Sequence, residues 1–594
     1  MTSYTDPKLV LPPSAERGGP SSAACASLNG VPRFVSYTSP VSTGRHDGAP
    51  HAGTLPLSLI AHIVSLLDDI ADVSRVCRTS RLLYYMTVPQ LYRRVQLRSY
   101  NGIRYVNGRP EGFGGCSPFM SGLNGLVTNN HAHLVEEFRI WGQWKEVGVE
   151  DFAQGRVPDN SMMLNILLRA ATDKMVKLRT FSWELSCKPL KTVYQGLAAH
   201  NTLTSLTIKF PSSRVPRPSV VVPPMPNLRA FKAIDIDPLC YSDDFSLMIL
   251  QSKKLEDLRL HFSPRMRREA EPTLNLETYF GRCLKHNYLV PLKHMGIQNF
   301  FGFKTEVLEA IFDPNTCTSV TSLDTWGGVS SDPRNVFVDD TWKTITRDMR
   351  KHFKVVRCNE FSSYHVEAVS RWSGLEKVYI VSAKTPRSAD TAEQTRSTCG
   401  TTQHFEASDP ITPSDSPVSD HEMMQLGRGY IHALTRHHGA SLKHLLLSDQ
   451  WALTANDISE IVRFCPNLEQ LGIAVNSTSP IFLRLLMPFL AKLQVLRILA
   501  NEWSLEHLRT VSDEERVEGM SADMWKQGAE SLRYVGIADR IHEIGKNYQI
   551  VHKNGTVETR REVKIVDLEA VKHVAIWKLD SLSLDVDPIA PFDP

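Results

Sequence analysis

Residues 178–208 read LRTFSWELSCKPLKTVYQGLAAHNTLTSLTI. One short signature stands at both ends, as Leu178/Phe181/Trp183 and as Leu203/Leu206/Ile208. It consists of an apolar residue, two variable ones, a second apolar residue, one variable and a third apolar residue. The last two apolar positions are two apart, so on a strand they point to one side while the residue between them points to the other. Leu190 to Leu197 between the two copies reads as a helix that returns the chain to begin the next strand.

Working outward, the signature occurs again as Val135/Phe138/Ile140, Leu228/Phe231/Ala233, Leu255/Leu258/Leu260, Leu292/Met295/Ile297 and Leu375/Val378/Ile380. It continues as Leu442/Leu445/Leu447, Leu468/Leu471/Ile473, Leu493/Leu496/Ile498 and Leu532/Val535/Ile537, with Val320/Leu323/Thr325 as a weaker member. First positions recur 25, 25 and 27 residues apart from Leu178 to Leu255, and 26 and 25 apart from Leu442 to Leu493. That period is short for a strand–helix–strand crossover and falls in the leucine-rich-repeat range. The expected fold class is α/β, a small all-α module followed by an irregular leucine-rich-repeat solenoid with strands on the concave face. The Asn or Cys of the regular repeat is mostly absent, so irregular curvature is expected. A second connecting helix is expected at Ile458 to Phe464, capped by Asn456 or Asp457.

The all-α module is residues 54–97, TLPLSLIAHIVSLLDDIADVSRVCRTSRLLYYMTVPQLYRRVQL. Thr54 is a suitable N-cap and Pro56 suits the first helical positions. Ile60, Ile63 and Leu67 follow at helical spacing with Leu59 and Leu66 beside them, an apolar surface wider than one helix face requires. Ile70, Val73, Val76 and Cys77 form a second stripe behind Asp68, Asp69 and Asp72. A third helix from Leu82 to Tyr85 is expected to stop at Val88-Pro89, and Val95-Gln96-Leu97 alternates as a strand.

This order of elements resembles the F-box, carried by Leu55-Pro56, Ile60, Ile63, Leu66-Leu67-Asp68, Val73, Val76-Cys77-Arg78 and Pro89-Gln90-Leu91-Tyr92. Tyr84-Tyr85-Met86 departs from the Trp and small residues more usual there. With the repeats behind it, the chain resembles an F-box protein of the fungal type with a C-terminal leucine-rich-repeat-like solenoid. The resemblance implies a Skp-family adaptor as partner and, through it, a cullin–RING ubiquitin ligase. The implied role is non-catalytic: a substrate-recognition adaptor that holds an unknown protein substrate on the repeats. The alternative is an interaction scaffold that binds the same linker without ubiquitylation.

The 594 residues are 42% hydrophobic and 22% charged with a formal net charge of +3, so no global field points to nucleic acid or to an anionic membrane. Clusters such as Arg265/Arg267/Arg268 and Arg93/Arg94/Arg98 read as solvated faces. The ten cysteines form no C-x-x-C pair, so no cofactor, metal or disulfide framework is expected. The longest apolar stretch, Ile481 to Leu499, carries Arg484, Lys492 and Arg497, and no signal-peptide core precedes Pro12-Pro13-Ser14-Ala15-Glu16. An intracellular protein of cytoplasm or nucleus is expected, without a membrane span. No phosphate-loop, zinc-helix or nucleophile-elbow motif appears.

Expected boundaries are a disordered tail over 1–50, the F-box over 51–100, a linker over 101–130 and the solenoid over 131–594. The solenoid carries an insertion near 383–420, with Thr385, Thr412 and Ser416 before prolines, and a hairpin near 546–568 turning at Asn554-Gly555. The residues expected to bind the adaptor are Leu55, Pro56, Ile60, Ile63 and Leu67. Those expected to face substrate from between the apolar strand positions are Lys209, Arg259, His261, Trp326, Tyr379 and Tyr534.

Overall fold

A computed structural model describes residues 56–111, 117–145, 147–210, 221–237, 245–264, 274–303 except 276, 307, 311, 313, 316–328 except 325, 353–359, 363–381, 420–475, 489–500, 512–526 and 530–587. The expected N-terminal tail, the insertion near 383–420 and Leu55 lie outside the described residues. The chain divides into two compact units at residue 60, and of the first only residues 56–60 are described.

The second unit is a mixed α/β structure. Its main element is a 17-stranded sheet, accompanied among the described residues by 13 α-helices. Fourteen of the strands lie side by side in chain order and are all parallel, from Arg94–Ser99 through Glu137–Gly142, Thr180–Leu185, Ser205–Lys209, Ala230–Ile236, Asp257–Phe262 and His294–Gln298. The series continues through Ser319–Leu323, Val355–Cys358, Lys377–Ile380, His444–Leu446, Gln470–Val475 and Val495–Leu499 to Tyr534–Ile537. The hairpin Arg540–Val551/Val557–Val566 then closes the series in antiparallel pairing, turning through Gly555 at φ 80°.

The register explains why the sheet forms. Phe138, Phe181, Leu206, Phe231, Leu258 and Met295 stand in one row across the strands, and Ile140, Trp183, Ile208, Ala233, Leu260 and Ile297 stand in the next such row. Both rows are buried against apolar residues of the connecting helices, such as Leu164 and Leu168, Val193 and Leu197, Met248 and Ile249, and Ile458 and Ile461. The residue between the rows faces the opposite side of the sheet, as the period of two requires.

Several expectations are corrected here. Val320 stands opposite Met295 and Ser322 opposite Ile297, so the weak signature is Cys317/Val320/Ser322, shifted by three from the one read. The polar Ser322 in the third apolar place broke the pattern. Phe353/Val356/Cys358 is a further buried member, absent from the expected series. Residues 101–130 are not a linker: a short hairpin pairs Tyr105–Val106 with Arg109–Pro110, and the helix Pro118–Thr128 puts Phe119, Leu123 and Leu126 into the core. Its Gly122 and Gly125 hid the helical pattern. A Cβ on Gly122 would meet Leu97 Cδ2 at 2.8 Å, so glycine permits that close approach.

The third helix of the N-terminal module also differs from expectation. It runs Arg81–Arg93 with Pro89 inside it, because proline removes only its own N–H and constrains the residues before it rather than after. The helix Ala455–Phe464 is capped by Thr454, which accepts from Asp457 N–H while the Asp457 carboxylate accepts from Thr454 N–H.

Gly142, opposite Ser99 in the first parallel pair, sits at φ 106°, and a Cβ there would stand 2.2 Å from Ser99 O. Gly142→Ala is expected to cost more than about 2 kcal/mol, because positive φ alone costs a non-glycine residue roughly 1–2 kcal/mol. Gly155→Ala, at φ 72° with open space around it, is the matched control and carries only the φ cost. Urea midpoints of the two variants check the difference.

Candidate functional site

Two surfaces come from the sequence reading. The first lies on the short helices, Leu57–Ser65, Ile70–Cys77 and Arg81–Arg93. Asp69 caps the second, its carboxylate accepting from Ala71 N–H at 2.8 Å, and Ser80 caps the third by accepting from Leu83 N–H at 3.2 Å. Gln90 Nε2 donates to Leu67 O at 2.7 Å and ties the third helix to the end of the first. The third helix runs directly into the strand Arg94–Ser99, so the helices are anchored to the sheet by main chain.

Val64, Val73 and Val88 are buried, while Ile63 is 50%, Leu66 65%, Ile70 64% and Tyr85 62% exposed. Single exposed apolar residues are ordinary; three on three short helices, with Leu66 on the turn after the first, form a concentration. Of the residues expected to bind an adaptor, Ile63 is the exposed one in this unit, and Leu67 is half-buried. In the first unit Pro56 is exposed and Ile60 half-buried, with Leu57 and Leu59 exposed on the same turn. The sequence reading placed Leu66 and Leu59 only beside the key positions, since spacing alone does not say which side of an apolar-all-round helix faces its own core.

The second surface is the face of the sheet opposite the connecting helices. It is largely covered by the chain's own segment Val571–Asp587, which follows the terminal hairpin and runs back across the strands toward Ala230–Ile236. Arginines that occupy the between-row position hold it. Arg357, 1% exposed, donates from Nε to Leu579 O at 2.8 Å, from Nη1 to Asp587 Oδ1 at 2.8 Å and from Nη2 to Ser583 O at 3.1 Å and to Ser581 O. Arg259 pairs bidentately with Asp257 at 2.7 and 2.9 Å and donates from Nη1 to Leu584 O at 2.7 Å and Asp587 O at 3.1 Å. Arg497 Nη1 donates to Ile576 O at 2.8 Å and reaches Asp580 Oδ2 at 2.9 Å. Gln298 Nε2 donates to Leu582 O, and Lys232 pairs with Asp585. Burial pulls the Lys232 ammonium down to about 8 against the pull of Glu184.

Apolar contacts complete the cover. Val571, Val574, Ile576 and Leu579 pack with Tyr379, Leu446, Ala474, Val495 and Leu499, and Leu584 packs with Leu323 and Val381. Gly472 and Gly536 fall in the same between-row position as the arginines. A Cβ on Gly536 would stand 2.7 Å from Trp577 Cζ2, so the glycine makes room for the covering segment.

The six residues expected to face substrate divide accordingly. Arg259 and Tyr379 are buried beneath the covering segment instead of open to a partner. Tyr534 is half-buried, its ring edge-on to His573 at 5.9 Å. Trp326 is not in the large sheet; its strand Trp326–Gly328 pairs with Phe301–Phe303 and, through it, Leu274–Asn275 in a separate parallel sheet. Lys209 pairs with Asp235 at 3.2 Å, and His261 receives Asp235 N–H at 3.4 Å with burial lowering its pKa. Beyond the cover, Arg98 lies over Trp141 at 4.2 Å and Tyr100 at 4.7 Å, and Arg139 bridges to Glu184 at 2.6 and 2.9 Å. Sequence reasoning missed Arg357, Arg497 and the covering segment. Asp580, Asp585 and Asp587 were the visible signal, but their partners lie far back along the chain.

Burial raises the Tyr379 phenol, whose hydroxyl shares a 2.6 Å hydrogen bond with His444 Nδ1, and His444 stays neutral, its pKa lowered to about 4 by burial and by Lys377 and Lys443. Among the described residues no group of three or more His, Cys, Asp or Glu is placed to hold a metal ion, and no helix is long and apolar enough to cross a membrane. Burial pushes the Cys283 thiol up to about 11 and the Cys465 thiol up to about 12, so neither is an activated nucleophile. No protein-family model matches the chain, and no curated protein matches it.

Arg357→Met leaves the buried Asp587 carboxylate without its partner and is expected to cost about 3–5 kcal/mol. Adding Asp587→Asn recovers part of that loss, and chemical denaturation of the single and double variants measures both.

His444 in the unfolded chain takes a proton below pH 6.5, but in the folded chain only near 4. Between these values the unfolded state binds the extra proton. The ring's contribution is therefore full above the unfolded pKa and is lost as pH falls toward the folded one, by on the order of 3 kcal/mol at most. Urea melts from about pH 7 down to about pH 4.5 are expected to show a shallower loss for His444→Gln than for the native chain.

Proposed function

We propose that this chain is the substrate-recognition subunit of a Skp–cullin–F-box ubiquitin ligase. The observation that supports the reading is the concentration of exposed Ile63, Leu66, Ile70 and Tyr85 on three short helices and the turn after the first, where Val64, Val73 and Val88 are the buried apolar residues. Burying the exposed half of each aliphatic side chain in a partner groove is worth roughly 1 kcal/mol. We read the large sheet as an irregular leucine-rich-repeat solenoid, on the strength of parallel strands taken in chain order near a 25-residue period. In this role the chain is intracellular and supplies no catalytic group. It raises the concentration of a bound protein substrate near a ubiquitin-charged conjugating enzyme.

Ile63→Asp/Leu66→Asp places charges on exposed sites, and circular dichroism is expected to show an unchanged fold. It is expected to weaken co-precipitation of the Skp-family adaptor by at least about tenfold, and Leu55→Ala/Pro56→Ala is expected to act in the same direction. Undiminished binding by the folded variants would count against the reading. Cullin co-purification, with stabilisation of bound proteins when residues 54–97 are deleted, separates a ligase subunit from a scaffold that binds the adaptor alone.

A further inference from the structure

The covering segment is held in an unusual way. Seven of its main-chain carbonyls, those of Ile576, Leu579, Ser581, Leu582, Ser583, Leu584 and Asp587, accept hydrogen bonds from side chains of the sheet. Bonds to carbonyls do not depend on which side chains the bound segment carries. The dependence on sequence comes from three carboxylates, each met by a different cation: Asp580 by Arg497, Asp585 by Lys232 and Asp587 by Arg357. Apolar seats beneath Val571, Ile576 and Leu584 complete the footprint. None of the sheet pairings involves the segment, so the ladder is complete without it. With the segment away, Lys232, Arg357 and Arg497 would each lose a carboxylate partner, leaving a row of cations on the sheet.

We propose that this face, from the strand Ala230–Ile236 to the strand Tyr534–Ile537, is a receptor for an extended acidic protein segment, and that Val571–Asp587 is its resident intramolecular occupant. The proposal deepens the reading of the sheet as the recognition half of the molecule and rests on it. The partner is an extended stretch with carboxylates spaced as Asp580, Asp585 and Asp587 are, with aliphatic residues between them. It enters by displacing the resident segment, which competes at the high effective concentration that its tether confers. The arginine forks suit this partner, since each one presents several donors in a fixed plane to carbonyl and carboxylate oxygens at once.

The test uses the full chain and a fluorescein-labelled synthetic peptide of residues 568–587, read by fluorescence anisotropy. Asp580→Ala/Asp585→Ala/Asp587→Ala in the full chain releases the resident segment and is expected to bind the peptide at least about tenfold more tightly than the native chain. The gain is expected to shrink as salt is raised, and a peptide with all three Asp replaced by Asn is expected not to bind. A folded triple variant that binds the peptide no more tightly than the native chain would overturn the proposal.

If the triple variant does not fold, hydrogen exchange on the native chain decides the matter. Excess peptide at about 1 mM, comparable to the tethered competitor, is expected to expose the amides of 571–587 while those of 257–262 and 355–358 keep their protection. Unchanged protection over 571–587 overturns the proposal. Neither assay contains the Skp-family adaptor, so failure here with adaptor binding intact removes only the acidic partner.

Discussion

The structure depends on one constraint: each parallel strand between the two ends of the series must satisfy two hydrogen-bonding edges while pointing its two signature residues to the same side. Slipping one strand by a single residue would turn Leu258 and Leu260 away from the helices and bring Arg259 among them. The in-register rows from Phe138 to Val535 are the result, and they set everything on the opposite face as well. Arg259, Arg357 and Arg497 line up because each occupies the one place between two obligatory apolar residues. The constraint that builds the core therefore also builds the row of cations.

A series of paired strands leaves an unpaired edge at its end, which invites pairing with other chains. Here the parallel series ends on the antiparallel hairpin, and the last strand carries Glu558, Arg560, Arg561, Glu562 and Lys564. Arg560 pairs with Glu558 at 3.1 Å and Lys564 with Glu562 at 2.7 Å, an edge poorly suited to continue into a second sheet. The hairpin then delivers the chain to the polar face, where Val571 and Val574 take the first apolar seats.

Much of this was legible in advance because it is local. The spacing of Leu178, Phe181 and Trp183 needs only six residues to be seen, and Asn554-Gly555 announces its turn by itself. The helix Pro118–Thr128 was not legible, because Gly122 serves a close approach to Leu97 that lies outside the helix's own sequence. Ser322 hid its strand for the converse reason: its place is fixed by neighbouring strands and not by its own polarity. The fate of Arg259 and Tyr379 was least accessible. An arginine between two leucines reads as facing solvent, and nothing near it says that residues more than 300 positions later will cover it. On the helices, composition disclosed an excess of apolar surface but not that Leu66 and Ile70, more than Leu67, carry the exposed part.

The covering segment also bears on how the molecule is made. Strands that pair with their immediate predecessors can be added one after another as the chain leaves the ribosome, each finding a finished edge. The link from Arg259 to Leu584 spans 325 residues and cannot form until residue 584 has been made. The nascent sheet is therefore assembled with its arginine row uncovered, and the segment Val571–Asp587 seals the strands from Ala230–Ile236 onward only after all of them have been laid down. A ribosome that stalls between the hairpin and Asp587 would leave an assembled sheet with an open polar face.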